Sequence, residues 1–188
     1  MSALPRQRLN PRQVATLAKI YTAAEELLEE TGHEAMSIRM VADRAGLSTA
    51  TAYTYVASKD HLFAELFWRR LDEQPYPPLR GRGRVTRLQE ATRQLAEMIA
   101  DRPALAAAVT KSLLGQDPEV ARLRLDIGSI FLRRFREALG PDVEADLLST
   151  VAYAFNGVLL QAGMGYMSYD DLADELESVA KVIMKGHR

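Results

Sequence analysis

Residues 37–62 read SIRMVADRAGLSTATAYTYVASKDHL, two short helical patterns meeting at a Gly46-Leu47-Ser48 corner. Ser37 is placed to cap a first helix, in which Ile38, Val41, Ala42 and Ala45 recur at helical spacing while Arg39, Asp43 and Arg44 stay wet. Gly46 falls where that helix must stop, at a position suited to positive φ, and Ser48 can cap the next helix through its hydroxyl. The second helix opens with Thr49, Ala50 and Thr51 and continues through Tyr53 and Tyr55, with Lys59 beyond its end. A helix destined only for a core would be greasier. Short side chains facing base edges, with hydroxyl and ammonium donors aimed at phosphates, suit a helix that enters a DNA major groove.

At these residues the chain resembles the N-terminal domain of the TetR family of bacterial transcriptional regulators. The resemblance rests on Val41-Ala42, Ala45-Gly46-Leu47-Ser48, Tyr53-Thr54-Tyr55-Val56 and Ser58-Lys59-Asp60-His61-Leu62, and it covers residues 10–67. Val56 stands where the family often has Phe, and Ala52 where it has a larger aliphatic, so looser packing is expected beneath the recognition helix. The resemblance implies that Arg39 and Ser48 to Thr51 face DNA, with Tyr53, Tyr55 and Lys59 as phosphate clamps. Of the two tyrosines, Tyr55 is the one expected to be partly core. Arg6 and Arg8 suggest a minor-groove arm or an ordinary terminus.

Composition agrees with a helical regulator. The chain has 188 residues, enough for one or two domains with a sizeable core. A formal net charge of −1 argues against a non-specific polyanion binder. The chain contains no cysteine, which excludes disulfides, thiolate metal sites and a cysteine nucleophile. The opening MSALPRQRLNP has no apolar run of the signal-peptide kind, and the reading is cytoplasmic. Leu147 to Met167 carries no charge, yet Ser149, Thr150, Asn156 and Gln161 and the missing basic flanks favour a buried helix over a membrane span.

The remaining chain reads as helices punctuated by proline and glycine. Asn10-Pro11 opens a helix with an apolar stripe at Val14, Leu17, Ala18, Tyr21, Ala24 and Leu28, ended by Gly32. Ser58 caps a linking helix to about Glu73, and the PYPPLRGRGR stretch at 75–84 is a loop. Further helices are predicted at 85–101, 103–114, 118–139, 142–167 and 170–185. The fold is therefore read as all-α with about nine helices: a three-helix helix-turn-helix domain over residues 1–57, a linking helix over 58–74, and a helical effector-binding and dimerisation domain over 75–188.

Phe63, Phe67 and Trp68, then Leu95, Met98 and Ile99, Leu113 and Leu114, and Ile127, Phe131 and Phe135 either line an apolar cavity or form plain core. Asn156 and Gln161 offer polar handles to an apolar or amphipathic effector, or bonds across a dimer. A homodimer is expected through Leu148, Val151, Phe155, Val158 and Leu159 together with Leu172, Leu176, Val179 and Ile183, with Gly157 and Gly163 permitting close approach. Such a dimer would set two recognition helices about 34 to 36 Å apart on a pseudo-palindromic operator. The segment RPALAAAVTKSLLGQDPEV and the arginine-rich helix after it also resemble the subgroup that represses sterol and fatty-acid catabolism genes. That likeness implies a lipid or acyl-CoA effector, with Arg80, Arg82, Arg84 and Arg87 as phosphate partners or as an exposed basic loop. No cofactor or metal is expected, since His33, His61 and His187 are scattered and GRGRVT fails the dinucleotide fingerprint. The alternatives are an architectural DNA-binding protein without sequence preference and, further off, a helical enzyme acting on a lipid.

Overall fold

Asn10 starts the first helix reciprocally: its side chain accepts from the Gln13 amide at 3.0 Å while its own amide donates to Gln13 Oε1 at 2.9 Å. This helix, α1 (Pro11–Ala35), belongs to a computed structural model that describes residues 10–186. Gly32 breaks it at φ 75°, and one short turn follows to Ala35. The Ser37, Ser48 and Ser58 hydroxyls then cap α2 (Ile38–Arg44), α3 (Thr49–Tyr55) and α4 (Lys59–Glu73). Each such cap is worth about 1 kcal/mol, because it satisfies an amide that no intrahelical carbonyl reaches.

Prolines at the first turn open α6 (Pro103–Leu114) and α7 (Pro118–Leu139), and α5 (Arg84–Ala100) begins after Gly83. The uncharged run is shorter than predicted as a helix: α8 covers Ala145–Gly163 and not 142–167. At its start Gly140 takes φ 96° and a turn occupies the residues after it; at its end Gly165 takes φ 79°, and the Tyr166 amide returns to the Gln161 carbonyl at 3.0 Å. Residues 164–171 are thus an irregular connection, followed by α9 (Leu172–Lys185). Among the described residues there are nine helices and no strand.

Helices α2 and α3 pack on each other and α2 on α1, while α1 also rests on α6. Helix α4 runs between α6 and α7, α5 pairs with α7 and α9, and α8 crosses α6, α7 and α9. One apolar cluster extends from Ile20 on α1 to Met184 on α9, so the reading unit and the larger helical unit share a continuous core through α4. Ala52 and Val56 are both 0% exposed, so the smaller side chains under α3 are enclosed by the core.

Candidate DNA-binding surface and effector cavity

The corner between α2 and α3 is built by Gly46 at φ 69°, which lets the Leu47 amide reach the Ala42 carbonyl at 2.9 Å. Helix α3 then rests on Ala52 and points its opposite side outward: Ala50 and Thr54 are exposed, Tyr53 is 43% exposed, and Thr49 and Thr51 are half-buried. Ser48 Oγ receives the Thr51 amide at 3.1 Å and lies 2.8 Å from Thr51 Oγ1, so these two hydroxyls are partly engaged with each other. Tyr55 is half-buried against the core. Arg39 is exposed, its Nε 4.0 Å from Asp43 Oδ2 in a solvent-facing i,i+4 ion pair.

Lys59 occupies a different environment from a free clamp. Its ammonium donates to the His33 carbonyl at 2.9 Å and the Glu34 carbonyl at 3.3 Å, gathering the last carbonyls of α1. The three donors of an ammonium leave one for a phosphate. Arg44 ties α2 to α1 through both Glu30 oxygens, at 2.9 and 2.7 Å, and Glu26 at 3.2 Å. That hydrogen-bonded pairing lowers the Glu30 pKa and raises that of Arg44. Arg6 and Arg8 lie outside the described residues.

The start of α4 is clasped to the larger unit by contacts that motif reading missed. Ser58 donates to Asp117 Oδ2 at 2.5 Å, and Asp117 in turn caps α7 through the Glu119 amide at 2.9 Å. Burial pushes the Asp117 carboxyl up, but the hydrogen bonds from Ser58 and the Glu119 amide outweigh it and hold the group below the usual carboxylate range. Ser112 on α6 donates to Asp60 Oδ1 at 2.8 Å. Behind this clasp His61 Nδ1 accepts the Ala57 amide at 3.2 Å, so Nε2 carries the hydrogen and faces Glu65 Oε1 at 3.4 Å. Glu65 Oε2 takes the Tyr21 hydroxyl at 3.1 Å.

Above the clasp, an apolar cavity of about 310 Å³ lies among α4, α5, α6, α7 and α8. Of the residues predicted for it, Phe67, Ile99, Leu113, Leu114, Ile127, Phe131 and Asn156 line it. Phe63, Leu95, Met98 and Phe135 do not. Phe63, Leu95 and Phe135 are at most 1% exposed within the core, where Phe135 meets Phe155 edge-on at 5.1 Å. Thr110, Arg124, Gly128 and Tyr169 also reach the cavity and were not anticipated. Arg124 sits there as a structural cap, its guanidinium donating to the Leu113 and Gly115 carbonyls at 2.7 and 2.8 Å. The arginines predicted as phosphate partners are elsewhere. Arg80, Arg82 and Arg84 are exposed around a loop held by the Glu90 carboxylate, while Arg87 donates to the Ala138 carbonyl at 2.8 Å.

The proposed dimer residues divide in the same way. Leu148, Val151, Phe155, Leu172 and Leu176 are buried inside the protomer and are occupied by its own core. Leu159 lines the cavity. Gly163 faces inward: a Cβ there would sit 2.5 Å from Thr110 Cγ2, so this glycine admits α6 and not a partner. The outward apolar surface of α8 and α9 instead carries Tyr153, Met164 and Val182, with Gly157 open beside them and Val158, Val179 and Ile183 half-buried. Among the described residues no helix is long and apolar enough to cross a membrane, and no group of three His, Asp or Glu is arranged to hold a metal.

A family model described as bacterial regulatory proteins, tetR family, matches residues 20–66, the span from mid-α1 into α4. An uncharacterised HTH-type transcriptional regulator of Mycobacterium tuberculosis is 37% identical over 179 residues, covering 94% of this chain and 84% of that protein. The fold is similar to a TetR transcriptional regulator from Rhodococcus sp. RHA1, with a TM-score of 0.77, 22% identity and coverage of 93% and 97% of the two chains. It is also similar to Thermus thermophilus FadR, a transcriptional repressor in complex with lauroyl-CoA, with a TM-score of 0.67, 23% identity and coverage of 91% and 94%.

Proposed function

Since this chain belongs to the TetR family and is a helix-turn-helix transcriptional regulator rather than an enzyme, we propose that it is a ligand-released repressor. In this reading it binds a pseudo-palindromic operator as a homodimer in the cytoplasm and leaves it when an apolar or amphipathic small molecule fills the cavity. The observation that carries the proposal is the pairing of an outward-facing α3 with an apolar cavity one linking helix away. Thr49, Ala50 and Thr51 lead α3 into the major groove and read base edges, while Arg39, Tyr53 and the remaining donor of Lys59 hold phosphates. The dimer forms through the outward side of α8 and α9, around Tyr153, Gly157, Val179, Val182 and Ile183.

An effector can act only if it binds the DNA-incompetent arrangement more tightly than the competent one. The cavity and the clasp share α6 and α7, so ligand-driven movement of either helix shifts Asp117 or Ser112, and with them the first turn of α4. The lauroyl-CoA of Thermus thermophilus FadR supports an acyl chain as one effector type. A cavity of about 310 Å³ is at the small end of the ligand-site range, so the apolar part of such a molecule would enter and a large polar part would stay outside. The test is a fluorescence-anisotropy titration of bound duplex DNA with medium-chain apolar compounds. Release of DNA at saturating ligand supports the proposal, and DNA affinity that no cavity-bound compound alters contradicts it.

A further inference from the structure

Among the described residues that line the cavity, Arg124 alone is charged, and the other polar side chains are Thr110, Asn156 and Tyr169. Two of these are spoken for: the Tyr169 phenol is hydrogen-bonded to Thr110, whose hydroxyl gives its own hydrogen to the Ala106 carbonyl at 2.9 Å. Arg124 and Asn156 are exposed, as is Leu114, so these three stand at the mouth. A guanidinium carries five N–H donors in a rigid plane. Nε and Nη2 of Arg124 donate to the Leu113 and Gly115 carbonyls at 2.7 and 2.8 Å, which fixes the group against the end of α6. Both hydrogens of Nη1 and one of Nη2 are left without an acceptor among the described residues. No carboxylate answers the charge either. The residues three and four places away along α7 are Val120, Ala121, Ile127 and Gly128, and the nearest acid in sequence, Asp126, faces Arg122 at 4.0 Å.

We propose that the mouth takes the carboxylate of an otherwise apolar effector, held by the outer edge of Arg124 with the Asn156 amide as a second donor, while the hydrocarbon fills the cavity. This rests on the reading of the cavity as the effector site. The outer edge offers one hydrogen on each Nη nitrogen, side by side, the arrangement that the two oxygens of a carboxylate accept together. A phosphate monoester, at about −1.5 to −2, would leave charge unmatched by a single guanidinium. An alcohol or an ester accepts without supplying the negative charge. Because Nε and Nη2 keep hold of the α6 carbonyls, the bound anion is tied to the end of α6, next to Ser112 and its bond to Asp60 at the start of α4.

Three probes with the same chain separate these chemistries at neutral pH: decanoate, methyl decanoate and 1-decanol, the last reading the apolar volume alone. Binding to the full chain can be followed by the emission of Trp68, its one tryptophan, which packs beside Leu113 of the cavity wall. Decanoate should bind about tenfold more tightly than either other probe, and Arg124→Gln should remove that preference while leaving the affinities of the other two unchanged. Raising salt should weaken decanoate and not 1-decanol, since the exposed ion pair is screened and the apolar contact is not. Arg124→Gln weakening all three probes alike would make the guanidinium a cap of α6 only and overturn the inference. Parallel salt curves for decanoate and 1-decanol on the wild type would overturn it without any substitution. Equal binding of all three probes would overturn it too while leaving the cavity reading standing. No binding by any probe would refute the cavity reading, and the inference with it.

Discussion

Gly128 gives the sharpest handle on the link between cavity and regulation. It lies mid-way along α7, lines the cavity, and a Cβ built on it meets no atom within 4 Å. Gly128→Leu should therefore grow into open space. The converse core change, which deletes a large side chain, opens on the order of 150 Å³, so the new leucine should remove about half of the 310 Å³ available. Replacing glycine by leucine inside a helix also gains up to about 0.8 kcal/mol of propensity, a little less than alanine would. For a chain of this size that corresponds to a melting point a few degrees higher. Ligand affinity should fall at least about tenfold, since the leucine takes volume that the ligand's apolar part would fill. Operator affinity should be unchanged, because the side chain enters space that is already open and leaves α7 and the bond from Ser58 to Asp117 in place. Thermal melting and anisotropy-monitored DNA release by 1-decanol measure both effects on one preparation. A lower melting point would show that the space is not open, and wild-type release by decanol would show that the ligand acts elsewhere.

Lys59→Ala should weaken DNA binding to a similar degree on every sequence and reduce the salt slope by about 1, as measured by titrations from low to moderate salt. An unchanged slope would assign Lys59 wholly to the His33 and Glu34 carbonyls. Gly163→Ala should cost about 1–3 kcal/mol, read from urea unfolding, because its Cβ would stand 2.5 Å from Thr110 Cγ2; a dimerisation defect at unchanged stability would contradict that placement. Asp117 is held below the usual carboxylate range, so its contribution to stability is present above that range and lost as pH falls through its own lowered value. Asp117→Asn should flatten that part of the acid limb in melting curves taken across pH, and a curve parallel to the wild type would refute the role of the clasp.

The helix starts were legible because their chemistry is local: a serine or asparagine hydrogen-bonds an amide two or three residues on, whatever lies across the fold. Gly46 was legible for the same reason, since a positive φ is a property of one residue and its turn. The cavity was half legible. Phe63 and Phe67 share a face of α4, and only the approach of α6 and α7 decides that Phe67 lines the space while Phe63 is sealed in the core. Gly163 carried no sign of its partner, because a small residue allows a close approach without naming what approaches. The uncharged run misled most, since hydropathy does not mark Gly165 as a turn, and Tyr169 was hidden with it. Ser58 and Asp117 were each recognised as caps, but their hydrogen bond joins residues that only the tertiary fold brings together.

The central claim is that α3 reads sequence for a symmetric pair of subunits. Selection of binding sites by the purified full chain from random duplex DNA, followed by sequencing, tests it most directly. The account predicts a pseudo-palindrome whose half-sites are centred about one helical turn apart, with base preference at the half-sites altered by Thr49→Ala or Thr51→Ala. Recovery of bound DNA with no enriched motif would contradict it and favour an architectural DNA-binding protein.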